Sequence, residues 1–391
     1  MLPLEGITVV SLEQAIAAPF ATRQLADMGA RVIKIERPGV GDFARGYDTR
    51  VNGLASHFVW TNRSKESLTL DVKHADGAEV LHKLIAKADV VVQNLAPGAA
   101  ARLGLGYDSL SKVNPCLIVC NISGFGTGGP EEHRKAYDLL IQAEAGLIST
   151  TGTEETPSKA GISIADIAAG MYAYSNILAA LLQRSKTGEG CEIDLSMLDA
   201  MVEWMGYPMY YAYQGAEAPV RAGARHATIF PYGPFVVGDG RTVILGLQNE
   251  REWAGFCELV LNAPALVTDA RFLSNSLRSQ NQAALAEIIT TAFAELSLET
   301  VVERLDRAGI ANAAMNEMAD VWQHKQLVAR DRWREVDTTE GCIPALLPPG
   351  GIGSEPRMDP VPGLGEHSWA LLAELGYSAE EIDALQKLAV I

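Results

Sequence analysis

Asp166 is the residue of this sequence whose type and position best suit covalent chemistry. It lies in the first turn of a helix predicted over residues 164–184, directly after the small residues at 160–163. The N-terminus of a helix stabilises a negatively charged side chain, and a carboxylate nucleophile must be ionised at neutral pH. An aspartate that only caps the helix would occupy the same position. Position alone therefore leaves two interpretations open, a nucleophile and a structural cap.

Sequence patterns of the common cofactor and metal sites are missing or incomplete. The glycines within residues 124–129 follow a predicted strand, but Pro130 and a charged stretch stand where a helix should bind a pyrophosphate. Walker A, GxSxG and HExxH motifs do not occur, and the five cysteines are scattered, as reduced thiols of a cytoplasmic protein are. We therefore expect no metal site, no nicotinamide and no flavin.

The predicted elements around Asp166 follow a regular order. Over the first 125 residues, helical patterns alternate with short apolar runs that are rich in β-branched residues. These runs cover residues 7–12, 31–36, 67–72, 89–95 and 116–123. Strands of this composition are usually buried and parallel, and their alternation with helices indicates a doubly wound, Rossmann-like α/β domain.

The helix predicted at 164–184 carries a stripe of large apolar residues that repeats with the 3.6-residue period of an amphipathic helix. The stripe consists of Ile167, Met171, Tyr174, Leu178 and Leu181.

A change of composition marks a second unit. Residues 214–235 are irregular and rich in glycine and proline, and the chain turns back near residues 316–325. We predict a large domain formed by residues 1–200 and completed by residues 326–391. Residues 214–325 are predicted to form a smaller α/β domain.

The charge and the apolar pattern limit the partners. The 391 residues carry a net charge of −16, which repels nucleic acid and anionic membranes at long range. No apolar run reaches the roughly 18 residues of a membrane span, and the N-terminus lacks the pattern of a signal peptide. We expect a cytoplasmic protein that binds neither nucleic acid nor membranes. A polyanionic ligand would need lysines and arginines at its own site.

Motifs along nearly the whole chain resemble the family III CoA-transferases, which include formyl-CoA transferase, carnitine CoA-transferase and α-methylacyl-CoA racemase. The resemblance is carried, in order, by LEGITVVSLEQAIAAPFATRQLADMGARVIKIERPGVGD, SLTLDVK, DVVVQNLAPGAAARLGLGYDSLSKVNP, ISGFGTGGP, IADIAAGMYAYSNILAALLQRSKTGEGCEIDLSMLDA and GEHS. It implies two α/β domains, with both chain ends in the larger one, and a homodimer of two interlinked subunits. It also implies that Asp166, in IADIAAG, is the catalytic nucleophile.

The resemblance further implies a set of coenzyme A contacts. They are Gln14, Arg37, Leu70, Lys73, Asn94, Leu95, Arg102 and Lys135. Most of these residues follow predicted parallel strands, and open α/β sheets bind ligands at the carboxyl ends of their strands. The two arginines and two lysines would supply the positive charge that the acidic chain otherwise lacks.

The implied reaction is covalent and needs no cofactor beyond the coenzyme A thioester. Asp166 attacks the donor thioester, and the resulting anhydride becomes an aspartyl-CoA thioester that the acceptor acid then resolves. An acyl-CoA racemase of the same fold is one alternative, but the racemases place a histidine at the position of Tyr137, and tyrosine is a poor base at neutral pH. A coenzyme A-binding protein without catalysis is the other alternative, and the retained Asp166 argues against it.

Two segments of the predicted smaller domain resemble the branch that includes mesaconyl-CoA and itaconate CoA-transferases. They read RAGARHATIFPYGPF and GLQNEREW. The branch implies dicarboxylates with four or five carbon atoms, with succinyl-CoA as donor and itaconate or mesaconate as acceptor. The distal carboxylate of such an acid needs a cation or several donors, so Arg225 and His226, together with Tyr137, are candidate substrate contacts. Arg225 and His226 could equally brace a loop, and transfer within one diacid stays open.

Overall fold

The computed structural model describes residues 1–351 and 353–391, which divide into two compact units. The larger unit contains Met1–Leu147, Ala160–Tyr207 and Ala329–Ile391, and the smaller unit contains Ile148–Lys159 and Pro208–Val328. Residues 148–159 lie within the range predicted for the larger domain but belong to the smaller unit.

The strands are, in chain order, β1 (Thr8–Leu12), β2 (Arg31–Glu36), β3 (Lys65–Thr69), β4 (Val90–Gln93), β5 (Ile118–Ser123), β6 (Glu192–Ser196), β7 (Tyr232–Val236), β8 (Thr242–Gly246), β9 (Ala311–Ala314), β10 (Trp333–Val336) and β11 (Ile343–Leu346).

The helices are, in chain order, α1 (Ala17–Asp27), α2 (Ser56–Asn62), α3 (Ala75–Ile85), α4 (Ala99–Arg102), α5 (Tyr107–Leu110), α6 (Asp138–Glu144), α7 (Leu147–Thr150), α8 (Ile164–Thr187), α9 (Met197–Trp204), α10 (Gly206–Tyr211), α11 (Glu250–Gly255), α12 (Asn275–Gln280), α13 (Gln282–Phe293), α14 (Leu298–Arg307), α15 (Met318–Trp322), α16 (Lys325–Ala329), α17 (Ser368–Glu374) and α18 (Ala379–Lys387).

The larger unit is built on a six-stranded parallel sheet with the strand order β3-β2-β1-β4-β5-β6. This order confirms the predicted doubly wound fold. From β1 the chain first adds strands on one side of the sheet and then, from β4 onward, on the other side, so the order reverses between β1 and β4. Ligands of such sheets bind beyond the carboxyl ends of the strands at this switch point. The segments that follow β1 and β4 are therefore the first place to look for a site.

Helix α8 packs into the core of this unit through its smallest residues. Ala165, Ala168, Gly170 and Ala173 are buried, whereas Met171, from the stripe of large apolar residues, remains 38% exposed. A Cβ atom on Gly170 would lie 2.7 Å from the carbonyl oxygen of Ala17, so α1 and α8 approach too closely for any larger residue there.

Within the described part of the chain, α8 is also the one helix long and apolar enough, by length and composition, to cross a membrane. Its alanine and glycine face belongs to the apolar core beside α1 and the sheet. Core helices of globular units show the same length and composition, so this helix gives only weak support to a membrane span.

Four charged residues lie in the interior beneath the carboxyl end of β1, and we call Glu13, Lys34, Asp42 and Lys65 the Glu13 cluster. Lys65 Nζ donates to Glu13 Oε1 at 2.7 Å, and Lys34 Nζ donates to Asp42 Oδ2 at 2.7 Å and to Glu13 Oε1 at 3.3 Å. All four side chains are buried, so two positive and two negative charges compensate one another away from water.

The smaller unit combines helices with an antiparallel sheet in the order β7-β8-β9. Its core is apolar and rich in aromatic rings, with Trp253, Phe256, Phe272 and Phe293 fully enclosed. This unit therefore has its own core and an antiparallel rather than a parallel sheet.

Candidate active site

Asp166 lies at the N-terminal end of α8, and its side chain is half-buried. Ser163, just before the helix, forms no capping hydrogen bond with its side chain. The N–H groups of the first turn are satisfied from another helix. At the start of α6, Asp138 Oδ1 accepts from the N–H of Ala165 at 2.8 Å and from the N–H of Asp166 at 3.2 Å. Asp138 thus caps α8, and the Asp166 carboxyl keeps no capping role.

The surroundings of Asp166 disfavour its charged form. Burial raises the pKa of Asp166, and the negative charge of Asp138 raises it further, to about 7. The expectation that the helix N-terminus would stabilise the Asp166 carboxylate is therefore wrong. The helix donors bind Asp138 instead, and Asp138 adds a like charge. Once ionised, Asp166 is a basic carboxylate, and no cation within residues 1–351 and 353–391 is hydrogen-bonded or ion-paired with it.

Tyr47 interacts electrostatically with both Asp166 and Tyr137. Burial raises the pKa of Tyr47, and the charges of Asp42, Asp166 and Tyr137 raise it further, which places Tyr47 within electrostatic reach of Asp166. Tyr137 immediately precedes α6 and is 71% exposed. Sequence reasoning selected Tyr137 but missed Tyr47, which follows a short 3₁₀ turn in a segment without any periodic pattern.

Gln14 and Asn94 meet at the switch point of the sheet. The Gln14 N–H donates to Asn94 Oδ1 at 2.8 Å, and Asn94 Nδ2 donates back to the Gln14 carbonyl oxygen at 2.9 Å. The Phe43 N–H donates to Gln14 Oε1 at 3.1 Å, and the Arg37 guanidinium lies 4.8 Å from the centre of the Phe43 ring. Three predicted coenzyme A contacts are therefore held together beyond the ends of β1, β2 and β4.

The remaining predicted contacts differ in what they can offer. Lys73, Arg102 and Lys135 are exposed and, like Arg37, form no ion pair within residues 1–351 and 353–391. Unpaired cations suit an anionic ligand such as a phosphate. The side chain of Leu70 is buried in the core, and the half-buried Leu95 packs against the same core, so Leu70 can contact a ligand only through its backbone. Contacts to coenzyme A stay a prediction for all of these residues.

Arg225 and His226 lie together in the smaller unit. His226 stacks on Tyr232 with ring centres 5.1 Å apart, and its Nδ1 accepts from the N–H groups of Thr228 at 3.2 Å and Ile229 at 3.1 Å. These contacts show His226 bracing its own loop. The Arg225 side chain is exposed, and its guanidinium has no hydrogen-bond partner among the residues that the structure describes. Of the pair, Arg225 is the one available to a carboxylate.

The described residues contain no group of three or more histidine, cysteine, aspartate or glutamate side chains that could hold a metal ion. A half-buried, basic carboxyl group can attack an activated carbonyl carbon. The exposed, unpaired cations Arg37, Lys73, Arg102 and Lys135 of the same unit can bind an anionic substrate.

The sequence and the structure of this chain are similar to those of known proteins. The family model described as CoA-transferase family III matches residues 4–368. The succinyl-CoA:glutarate CoA-transferase of Mus musculus is 36% identical over 398 residues, which cover 100% of this chain and 91% of the mouse protein. The succinyl-CoA:mesaconate CoA-transferase of Haloarcula hispanica is 33% identical over 390 residues, which cover 95% of this chain and 96% of that protein. A crystal structure of a CaiB/BaiF family protein from Brucella suis matches with a TM-score of 0.86 at 34% identity, covering 96% of this chain and 99% of that one.

Proposed function

This chain belongs to CoA-transferase family III and is a CoA-transferase, and we propose that it moves coenzyme A from succinyl-CoA to a second dicarboxylic acid of four or five carbon atoms. The observation that carries the proposal is that relatives matched over nearly the full chain are named for succinyl-CoA with glutarate or with mesaconate. Glutarate, mesaconate and itaconate are all dicarboxylates of five carbon atoms, so they are the acceptors that we expect to be used best.

In the proposed reaction Asp166 is the nucleophile. One carboxylate oxygen attacks the thioester carbon of succinyl-CoA, the C–S bond breaks, and a mixed anhydride forms while the coenzyme A thiolate leaves. The thiolate attacks the Asp166 carbonyl carbon, which gives an aspartyl-CoA thioester and free succinate. The acceptor carboxylate then repeats the two steps in reverse, and Asp166 returns as a carboxylate. The half-buried setting and raised pKa of Asp166 support this role.

We propose that Arg37, Lys73, Arg102 and Lys135 bind the phosphates of coenzyme A and that Gln14, Asn94, Leu95 and the backbone at Leu70 line its path. Arg225 of the smaller unit is proposed as a contact for a carboxylate of the diacid, and Tyr137 of the larger unit is proposed separately as a substrate contact. A guanidinium can bind a carboxylate through two parallel hydrogen bonds, which selects diacids over monocarboxylates.

The deciding experiment is an acceptor screen with succinyl-CoA, scored by the mass of each acyl-CoA product. Glutarate, mesaconate, itaconate, malate and oxalate would compete with acetate, formate and carnitine at equal concentration. We expect the five-carbon diacids to lead, and a monocarboxylate that outcompetes every diacid would overturn the substrate assignment. If the CoA thioester of an unsymmetrical diacid is converted to its isomer without any added acid, coenzyme A is transferred between the two carboxyl groups of one molecule.

Arg225→Ala tests the proposed diacid contact, with Arg225→Lys as the matched variant that keeps the charge but loses the two-point geometry. We expect the KM for diacid acceptors to rise, more for alanine than for lysine. Binding of free coenzyme A, which carries no carboxylate, is the control and should have the parent Kd in both variants. Unchanged KM values in both variants would contradict the role.

We also propose that the enzyme is a cytoplasmic homodimer that needs no cofactor beyond the coenzyme A thioester. Exposed apolar side chains on the larger unit, such as Leu139, Leu140 and the 61% exposed Leu182, support a protein partner. Sedimentation at nanomolar concentration should give a dimer, and an active, folded monomer would refute it. Activity should survive dialysis against a chelator.

A further inference from the structure

The carboxylate of Asp138 is bound on both of its oxygens. Oδ1 accepts from two N–H groups in the first turn of α8, those of Ala165 and Asp166. Oδ2 accepts from Gln142 Nε2 at 2.6 Å, one turn further along α6. Asp138 therefore lies between the turn that carries Asp166 and a second residue of its own helix.

Gln142 is fully buried and uses both ends of its side-chain amide. Its Oε1 accepts from the N–H of Ala160 at 2.9 Å, while its Nε2 donates to Asp138. Because an N–H faces one end and a carboxylate faces the other, only one orientation of the amide satisfies both partners. Asp138 and Gln142 thereby attach both ends of the segment 160–166 to α6.

Asp138 is the charged group that acts directly on Asp166. Among the charges on other elements packed against α8, Arg23 and Asp27 of α1 bind each other, and Asp194 of β6 accepts from the N–H of Thr127. The side chains of Asp199 and Glu203 on α9 are exposed, and none of these charges shifts the pKa of Asp166. Tyr47, beside the site, is itself affected by the Asp166 charge. The carboxylate of Asp166 thus has one anionic neighbour and no cationic one among the described residues.

We propose that Asp138 and Gln142 are positioning residues for Asp166. Gln142 holds the Asp138 side chain in place. Asp138 in turn holds the helical turn that carries Asp166 and keeps a negative charge beside the Asp166 carboxylate. This inference rests on the proposed function, because it assigns a purpose only if Asp166 is the nucleophile. A neighbouring negative charge makes a carboxylate more basic, and a more basic carboxylate attacks a thioester faster once it is ionised.

Two variants separate the charge from the holding contact, read in pH profiles of kcat/KM between pH 5 and pH 9. Asp138→Asn keeps an oxygen for the α8 N–H groups but removes the charge. We expect its acid limb to move down by about one pH unit and its plateau to fall. Gln142→Met keeps the Asp138 charge but loses both amide contacts. We expect kcat to fall roughly tenfold while the acid limb stays in place and the KM for succinyl-CoA is unchanged.

Asp383→Asn, an exposed aspartate of α18, is the matched control for a lost negative charge and should alter neither quantity. Gln142→Glu is the second variant for the holding contact, since it keeps the acceptor for Ala160 but places a carboxylate against Asp138. Relative to the parent at the same pH, its kcat should fall most at high pH, where both carboxylates are charged, and this deficit should shrink as the pH drops.

An acid limb that stays in place in Asp138→Asn, or an unchanged kcat in both Gln142 variants, would overturn the inference. Asp166→Ala distinguishes this failure from failure of the proposed function. If that variant still forms the coenzyme A adduct, the nucleophile itself is wrongly assigned. If it is inactive while the Asp138 and Gln142 variants behave like the parent, only the positioning role is wrong.

Discussion

Glu13, directly after β1, and Asp166, at the start of α8, belong to the same unit but differ in what their carboxylates contact. Glu13 is fully buried and binds Lys65, Lys34 and the hydroxyl of Thr22. Burial acts to raise the pKa of Glu13, but the two ammonium groups and the hydrogen bonds outweigh it and lower that pKa to about 2. Asp166 is half-buried beside a like charge, and no cation of the described residues offsets them, so its pKa rises instead.

The difference shows that burial alone does not mark a reactive carboxylate. A buried carboxylate with two cations is held in its charged form and is stabilised too strongly to be a good nucleophile. A half-buried carboxylate without a cation stays basic, and its surroundings raise its free energy in the folded protein. The Glu13 cluster is therefore expected to contribute stability, whereas Asp166 is expected to contribute chemistry at some cost in stability.

The largest expected effect is the loss of transfer in Asp166→Ala. Removal of a covalent nucleophile should lower kcat by roughly a thousandfold or more, because no other described carboxylate shares its setting. Calorimetric titration with coenzyme A should give an unchanged Kd, since the predicted phosphate contacts are untouched. Turnover near the parent rate would show that Asp166 is not the nucleophile.

Glu13→Gln tests whether the Glu13 cluster contributes stability rather than chemistry. It leaves two buried lysines without their shared partner, and breaking a buried ion pair costs about 3–5 kcal/mol in the free energy of unfolding. Urea denaturation at pH 7 measures this loss, and Glu13→Gln with Lys65→Met should recover most of it. A variant that kept its stability but lost its activity would mean that Glu13 takes part in the reaction.

The pH dependence of stability should have opposite signs at the two carboxylates. The raised pKa of Asp166 means that its charge destabilises the folded protein, and this cost appears as the pH rises from about 4 and levels off above 7. Asp166→Asn should therefore be more stable than the parent at pH 8, by on the order of 3 kcal/mol, and equal to it below pH 4. The lowered pKa of Glu13 instead contributes stability that is lost as the pH falls toward 2. Urea midpoints of the parent and Asp166→Asn at pH 4 and pH 8 check the sign at Asp166, and an Asp166→Asn advantage at pH 4 would contradict it. Urea midpoints of the parent and Glu13→Gln at pH 5 and near pH 2.5 check the sign at Glu13, where the advantage of the parent should shrink at the lower pH.

The sheet of the larger unit could be predicted from sequence because its first five strands are short, apolar and β-branched, as buried parallel strands must be. Strand β6 was missed because Glu192 and Asp194 alternate with apolar residues, as suits an edge strand with one exposed face. The buried face of α8 differs from the stripe of large residues because the close approach of α1 admits only alanine and glycine. Periodicity records where apolar residues repeat, but not how near the neighbouring helix comes.

The candidate site was predictable where topology brings residues together. Gln14 and Asn94 follow strands on either side of the switch point, so their meeting follows from strand order. The capping of α8 by Asp138 did not follow, because it joins residues 27 and 28 positions apart across irregular chain. The Glu13 cluster was missed for a similar reason. Lys34 and Lys65 stand inside strands, and only the folded unit shows that their ammonium groups converge on one carboxylate.

The smallest effect is expected at Thr22 on α1, and it tests whether Glu13 acts on stability alone. The Thr22 hydroxyl donates to Glu13 Oε2 at 2.6 Å, and Thr22→Val removes this donor with almost no change in volume. A hydrogen bond to a charged group contributes about 1.5–3 kcal/mol, and Glu13 keeps both lysines, so we expect a loss near the lower end of that range. Thr22→Ser keeps the hydroxyl and should lose less.

Both variants should retain the parent kcat, because Thr22 acts on a carboxylate that the reaction does not use. Urea denaturation and turnover on one preparation measure the two quantities together. A fall in kcat without a fall in stability would place the Glu13 cluster in the chemistry and remove the distinction between the two carboxylates.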